Sequence, residues 1–281
     1  MADSREARFQ QDIIQAMTAN GWLTGPASGY DRTHALYPED LLAYVQQAWP
    51  ERWDKFCKNS PQNPEAALIK ATVRELERHG TLEVLRHGFK VPGVKLDLCS
   101  FQPDHGMNPE SLARYGANRL RVVPEVSYSP HALDEEKREG KYNPRLDLVL
   151  FVNGIPVATL ELKSGFKQPI ENAKRQYRKD RPTRDPLTRK PEPLLTFKRG
   201  ALVHFAVTQD EVAMTTRLAE QATWFLPFNM GSEEGGAGNP APADEHHYAT
   251  AYLWDRVFAP DAWLKILGRF LHLQKEVKED F

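Results

Sequence analysis

The stretch RLDLVLFVNGIPVATLELKSG, residues 145–165, constrains the fold more than any other part of the chain. It is apolar and β-prone on both sides of Asn153–Gly154, the strongest short turn signal, and so predicts an antiparallel hairpin of residues 146–152 and 155–163. The same stretch carries Asp147, Glu161 and Lys163. A buried charge is unfavourable unless a partner or a metal compensates it, so these three charges need a common purpose.

The register of the hairpin decides whether the two carboxylates can meet. With a strict two-residue turn, Asp147 lies opposite Leu160, and the carboxylates fall on opposite faces of the hairpin. A three-residue turn with Gly154 in the left-handed conformation, or a bulge at Pro156, shifts the pairing by one residue. The carboxylates then share a face within about 5–8 Å of each other. We predict this shifted register.

Two converging carboxylates repel each other unless a cation lies between them, and their hard oxygen atoms suit Mg²⁺ or Mn²⁺. Lys163 follows Glu161 by two residues, so in a strand it shares the same face and can place a water next to a phosphate. The pattern is therefore compatible with a metal-dependent phosphodiesterase site. The alternative is a surface hairpin in which Glu161 and Lys163 form an edge ion pair worth less than about 1 kcal/mol.

Positive charge is concentrated immediately after the hairpin. The chain of 281 residues has a net charge of −1, but residues 163–200 contain twelve Lys and Arg against four Asp and Glu. A basic segment beside an acidic pair is typical of proteins that hold a phosphate backbone and perform metal chemistry on it. The alternative is a solvated basic helix and loop.

The remaining patterns predict an α/β fold with a mixed sheet flanked by helices. We expect an N-terminal helical extension over residues 1–60 and the main domain over residues 61–281. Asn63, Pro64 and Gly80 mark the start and end of one long amphipathic helix. Further predicted elements are strands within 81–101 and 118–129, a surface loop over 131–144, a helix over 169–180 and a β region over 201–216.

Several classes of protein are disfavoured by the sequence. No apolar run approaches the length that a transmembrane helix needs, and residues 1–11 lack the apolar core of a signal peptide, so we expect a cytoplasmic protein. Cys57 and Cys99 are expected to be reduced. His246 and His247 could bind a transition metal, but they lie in a Gly/Pro-rich segment that predicts a loop.

Four stretches, in this order, resemble the amino-terminal part of the R (HsdR) subunit of type I restriction endonucleases: LDLVLFVNGIPVATLELKSG, ENAKRQYRKDRP, LVHFAVTQDEVAMTT and TAYLWDRVF. The resemblance runs from about residue 65 to the end of the chain. It implies a PD-(D/E)xK restriction-endonuclease-like fold and an endonuclease that hydrolyses DNA phosphodiester bonds in the restriction of foreign DNA.

The resemblance also implies roles for individual residues. Asp147 and Glu161 would be metal ligands, helped by the main-chain carbonyl of Leu162, and Lys163 would be the catalytic lysine. The metal would be Mg²⁺, with Mn²⁺ as a possible substitute. Gln176 matches a glutamine on the following helix. Some relatives place a tyrosine four residues after that glutamine, whereas this chain has Asp180 there and Tyr177 next to Gln176.

The partners implied by the resemblance are double-stranded DNA and, through the full-length R subunit, the modification and specificity subunits. ATP is expected only for the full-length subunit, because the chain contains no GxxxxGK[ST] phosphate loop. The best candidates for contacts to backbone phosphates are Arg178, Lys179, Arg181 and Arg184, with solvated surface as the alternative. Two other functions stay open: a non-catalytic module of the same fold that docks DNA or a motor, and a repair or recombination nuclease.

Overall fold

The computed structural model describes residues 4–133, 142–164, 170–232, 235–242, 244 and 247–274. Within them, the strands are β1 (Leu23–Thr24), β2 (Phe89–Val91), β3 (Val94–Leu96), β4 (Leu120–Ser127), β5 (Arg145–Val152), β6 (Ile155–Leu162), β7 (Val203–Val207), β8 (Val212–Thr215) and β9 (Leu226–Pro227). Seven of these form one mixed sheet in the order β1-β4-β5-β6-β7-β8-β9, while β2 and β3 form a separate hairpin. The β1/β4 and β6/β7 pairs are parallel, and the other neighbours are antiparallel.

The helices of the described residues surround this sheet. The α-helices are α1 (Ser4–Ala19), α2 (Pro38–Ala48), α3 (Pro50–Asn59), α4 (Pro64–His79), α5 (Thr81–His87), α6 (Pro109–Gly116), α7 (Ile170–Lys179) and α8 (Pro260–Lys265). Two π-helical segments, Leu253–Val257 and Ile266–Phe270, flank α8. Short 3₁₀ turns span Ala27–Gly29, Pro130–Leu133 and Glu220–Ala222.

The sheet separates two apolar clusters, because successive side chains of a strand point to opposite faces. On one face, Leu148 and Leu150 of β5 pack with Phe9 of α1 and with residues of α2, α4 and α5. On the other face, Val149 and Phe151 pack with a smaller cluster that includes the inner face of α7. The predicted mixed sheet flanked by helices is therefore confirmed.

The predicted start and end of α4 are also confirmed. The side chain of Asn63 accepts a hydrogen bond from the backbone N–H of Ala66 at 3.0 Å, Pro64 occupies the first turn, and Gly80 follows the last residue with a φ of 89°. These local signals work because Asn63 and Gly80 each pair a backbone group that a helix end leaves free, while Pro64 has no N–H that would need a partner.

The strand prediction is wrong for residues 81–87, which form α5 instead. Leu82 and Leu85 are both buried, and a spacing of three residues fits a helix as well as a short alternating run. The hydroxyl of Thr81 donates hydrogen bonds to the carbonyls of Arg199 and Gly200, at 2.7 and 2.9 Å, and anchors the start of this helix. The strand expected next is present as the β2/β3 hairpin.

Residues before position 60 contribute to the same sheet and core as the rest of the chain. Strand β1 pairs with β4, and Phe9 of α1 belongs to the larger apolar cluster. The buried Asp40 of α2 accepts hydrogen bonds from Arg119 and Arg121 at 2.6 and 2.5 Å. The division of the chain at residue 60 stays a prediction, although these contacts across it are extensive.

The structure tests two further expectations, the loop over 131–144 and the lack of a transmembrane helix, only in part. Of the loop expected over 131–144, residues 134–141 lie outside the described residues. Among the helices of the described residues, none combines the length and apolar character needed to cross a membrane.

Candidate functional site

The hairpin of β5 and β6 closes with a two-residue turn. Val152 pairs with Ile155, and the intervening Asn153 and Gly154 both have positive φ angles, 50° and 77°. The buried side chain of Asn153 accepts from the N–H of Arg119 at 2.6 Å and donates to the carbonyl of Leu98 at 2.9 Å. These contacts with neighbouring segments favour the tight turn, so the three-residue turn, one of our two alternatives, is wrong.

A β-bulge supplies the shifted register instead. Phe151 pairs with Pro156, but Leu150 pairs with Ala158, so Val157 is one extra residue on β6. From this point Leu148 faces Leu160, and continuing the register by one residue places Asp147 opposite Glu161. The predicted shifted register is therefore confirmed, and it is produced by the bulge next to Pro156.

Asp147 and Glu161 lie on the face of the sheet that α7 covers. Glu161 is completely buried, and Asp147 accepts a hydrogen bond from the backbone N–H of Leu162 at 2.6 Å. Burial, together with the nearby charge of Asp147, raises the pKa of Glu161 to about 8. Burial also raises the pKa of Asp147 to about 6, despite the hydrogen bond from Leu162. The two carboxylates thus form an acidic pair that favours a proton or a cation.

Lys163 lies just beyond β6 and reaches toward α1. Its ammonium group donates to the two carboxylate oxygens of Glu6, at 3.0 and 3.1 Å, and to the carbonyl of Leu162 at 2.8 Å. The amide of Gln10, one helical turn after Glu6, donates to the carbonyl of Asp147 at 2.8 Å and to Glu125 at 3.0 Å. Helix α1 therefore supports both the lysine and the strand that carries Asp147.

Asp147 and the α1 residues next to it line an open cleft of about 970 Å³. Asp147, Leu162, Gln176 and Arg181 lie in its wall, together with Glu6 and Gln10. The side-chain oxygen of Gln176 is buried and has no hydrogen-bond partner among the described residues. Polar groups thus dominate the part of the cleft next to the acidic pair.

The chemistry of this donor set fits a hard divalent cation. Two carboxylates and a main-chain carbonyl are hard oxygen ligands, and Mg²⁺ commonly takes one or two carboxylates and completes its shell with water. The described residues contain no group of three or more His, Cys, Asp and Glu side chains placed to bind a metal. A metal here would thus depend on the pair of carboxylates and on the carbonyl of Leu162.

The four predicted phosphate contacts are not gathered in one place. Arg181 lies in the cleft wall, where its guanidinium donates to both oxygens of Glu161, at 2.6 and 3.1 Å. Arg178 lies on the flank of α7, donates to the carbonyl of Thr223 at 3.2 Å and lies over the ring of Phe225. Lys179 and Arg184 are exposed. Of the four, Arg181 alone lines this cleft.

Glu6 and Gln10 are the site residues that sequence reasoning missed. Both belong to the segment that we expected to form a separate helical extension, and Glu6 is separated from Lys163 by 157 positions. The available signal was a pair of polar residues one turn apart, beside the apolar positions Phe9 and Ile13. That pattern shows which face of a helix is buried but does not identify its partner.

Tyr177 and the histidine pair His246–His247 are the remaining candidate groups. The hydroxyl of Tyr177 is buried, lies 2.8 Å from the hydroxyl of Thr159 and donates to the carbonyl of Phe205 at 3.3 Å. Its contacts thus lie in the core between α7 and the sheet. His246 lies outside the described residues, and the exposed His247 contacts Asp244 at 2.8 Å.

Comparison with known families supports the resemblance in the sequence. A family model described as "Type I restriction enzyme R protein N terminus" matches residues 40–223. The match covers more than half of the chain and includes Asp147, Glu161, Lys163 and Gln176, while α1 precedes it. No curated protein sequence matches the chain.

Proposed function

The chain belongs to the family of type I restriction enzyme R protein N termini, and we propose that it is the Mg²⁺-dependent nuclease domain of such a subunit. In this proposal it hydrolyses phosphodiester bonds of double-stranded DNA during restriction of foreign DNA. The mixed α/β sheet flanked by helices is consistent with the PD-(D/E)xK fold that this activity would use.

One observation carries the proposal: the bulge in β6 places the buried Glu161 opposite Asp147 of the neighbouring strand, and Asp147 lies in the wall of an open cleft. Without the extra residue Val157, Glu161 would face the opposite layer. A buried acidic pair with raised pKa values is unfavourable for folding on its own, which is typical of functional sites.

We assign the chemical roles from this geometry. Asp147 and Glu161, with the carbonyl of Leu162, would hold Mg²⁺. When bound, Mg²⁺ would neutralise negative charge on the phosphate and activate a water for in-line attack at phosphorus. Lys163, already held by Glu6, would donate hydrogen bonds to that water or to a phosphate oxygen. Gln176 would orient the water through its unpartnered oxygen.

The proposed partners follow from the family. DNA would enter the cleft beside α7, and the modification and specificity subunits would associate with the full-length R subunit. The cytoplasmic location and the phosphate contacts of Arg178, Lys179 and Arg184 stay predictions, as does the need for ATP in the full-length subunit alone.

Cleavage of plasmid DNA by Lys163→Ala tests the proposal. We expect the wild-type chain to cut in the presence of Mg²⁺ and the variant to lose about 10²-fold or more of the rate, because a donor near the reacting phosphate is removed. Binding of a short duplex, measured by fluorescence anisotropy, should be retained. The matched control is Lys70→Ala, which removes an exposed lysine from α4 and should leave cleavage unchanged.

A second measurement separates the nuclease from a docking module. Calorimetric titration of Mn²⁺ should give binding to the wild-type chain and none to Asp147→Ala. If Lys163→Ala cuts as fast as the wild type, the proposed mechanism is excluded. DNA binding without cleavage or Mn²⁺ binding would instead favour the non-catalytic docking module.

A further inference from the structure

Glu161 is already held by a cation that belongs to the chain. The Nε and Nη2 atoms of Arg181 donate to the two carboxylate oxygens of Glu161 at 2.6 and 3.1 Å, which is the bidentate geometry of a strong arginine–carboxylate pair. Glu161 is completely buried, and the side chain of Arg181 is only 12% exposed. The pair is therefore desolvated, and its two charges compensate each other.

A divalent metal needs the same carboxylate. A metal bound to Glu161 at the usual ligand distance would lie within about 5 Å of the guanidinium, and two cations so close in a partly buried site repel strongly. The carbonyl of Leu162 is likewise engaged, because it accepts a hydrogen bond from Lys163. Metal binding thus requires these positively charged side chains to rearrange.

We infer that Arg181 is a positioning residue that holds Glu161 in the metal-free site, and that binding of a divalent metal displaces its guanidinium from Glu161. This inference rests on the proposed function, because it concerns the metal that the nuclease would use. A metal bound to Glu161 and the ion pair between Arg181 and Glu161 would then be mutually exclusive.

The cleft offers room for the displaced side chain. Arg181 follows the end of α7, and its backbone N–H is anchored to the carbonyl of Gln176 at 3.0 Å, so the side chain can move while the backbone stays in place. Arg181 and Gln176 both line the cleft of about 970 Å³. A guanidinium released there is suited to a phosphate, because its planar fork matches phosphate oxygens as well as carboxylates. The same metal that completes the acidic pair would then make a phosphate contact available.

Nuclear magnetic resonance of the arginine Nε–H groups in the nitrogen-15-labelled chain tests this inference. A guanidinium held by a carboxylate gives a slowly exchanging Nε–H signal that is separated from the signals of exposed arginines. The signal of Arg181 is assigned by its absence in Arg181→Lys. Arg184→Lys is the matched control, since it changes an exposed arginine three positions further along and should leave the Arg181 signal in place. Mg²⁺ is then titrated into the wild-type chain, with the backbone N–H of Leu162 as an independent reporter of metal binding.

We expect the Arg181 signal to shift toward the exposed arginines, or to disappear through exchange, over the same Mg²⁺ concentrations that shift the Leu162 signal. An Arg181 signal that stays unchanged while the Leu162 signal shifts would overturn the inference and leave the proposed function standing. The absence of a protected Arg181 signal before Mg²⁺ is added would also overturn it. If Mg²⁺ changes neither signal, the metal site itself fails, and the proposed function falls with the inference.

Discussion

Protonation of individual carboxylates determines when the site can accept a cation. The pKa of Glu161 is raised to about 8 and that of Asp147 to about 6, chiefly by burial, so protons compete with a metal in the neutral range. We expect the affinity for Mn²⁺, measured by calorimetry, to rise as the pH increases from about 6 to about 8 and then to level off. Glu161→Gln is the control and should not bind. A constant affinity of the wild type across this interval would contradict the assignment.

Helix α1 holds Lys163 through Glu6, so replacing Glu6 tests whether this contact matters for cleavage. Glu6→Gln keeps the shape of the side chain but removes the negative charge that holds the ammonium of Lys163 at 3.0 Å. We expect cleavage to fall by roughly 10- to 100-fold, the usual effect of removing a group that orients a site residue. Thermal stability should fall modestly, because the ammonium of Lys163 loses its partner and the two side chains are only 12% and 17% exposed. The control is Glu65→Gln at an exposed position of α4, and equal loss in both variants would contradict a specific role for Glu6.

At the scale of elements, the turn between β5 and β6 closes the hairpin that carries the acidic pair, and the bulge beyond it shifts the register. Gly154 has a φ of 77°, and an added Cβ would overlap the carbonyl oxygen of Tyr37 and lie 2.9 Å from the backbone nitrogen of Leu41. Gly154→Ala should therefore lower the free energy of unfolding by about 2–4 kcal/mol, combining backbone strain with a steric clash. The measurement is urea unfolding followed by circular dichroism.

Gly235→Ala is the matched control for this turn. Gly235 also has a positive φ of 81°, but nothing lies within 4 Å of an added Cβ. The control therefore carries only the backbone penalty, about 1 kcal/mol. Similar losses in the two variants would show that the packing of the turn against α2 contributes little.

The sequence predicts some elements better than others. Elements fixed by contacts between residues close in sequence are predictable, whereas those fixed by contacts between distant residues are not. Asn63 and Gly80 mark the ends of α4 because capping is local, and Asn153–Gly154 marks the hairpin for the same reason. The shifted register could be predicted only as a consequence of what the three charges required. In contrast, the burial of Leu82 and Leu85 depends on the whole core, so the short pattern of α5 was ambiguous.

At the scale of the whole molecule, the site is assembled from distant parts of the chain. Glu6, Asp147, Glu161 and Arg181 come from α1, β5, β6 and the segment after α7, and the contact between Glu6 and Lys163 spans 157 positions. No local pattern specifies such contacts, which is why sequence reasoning found the hairpin residues but not the partners that hold Glu161 and Lys163. The pairing of Arg181 with Glu161 is a further example, since the basic segment predicted a phosphate contact instead.

A chain that begins at residue 61 tests whether the site depends on the segment before it. Such a chain lacks Phe9 of the core, strand β1 of the sheet and the buried Asp40, which leaves Arg121 buried without the carboxylate that now holds it. Removing one partner of a buried ion pair alone costs about 3–5 kcal/mol, a large share of the roughly 5–15 kcal/mol that stabilises a typical domain. We therefore expect the shortened chain to show no cooperative thermal transition and no binding of Mn²⁺, whereas the full chain shows both.

Asp40→Asn in the full chain serves as the milder variant and should lower the melting temperature while keeping a cooperative transition. A shortened chain that melts cooperatively and binds Mn²⁺ would establish the boundary near residue 60 and would make the contacts of Glu6 and Gln10 dispensable for the metal site.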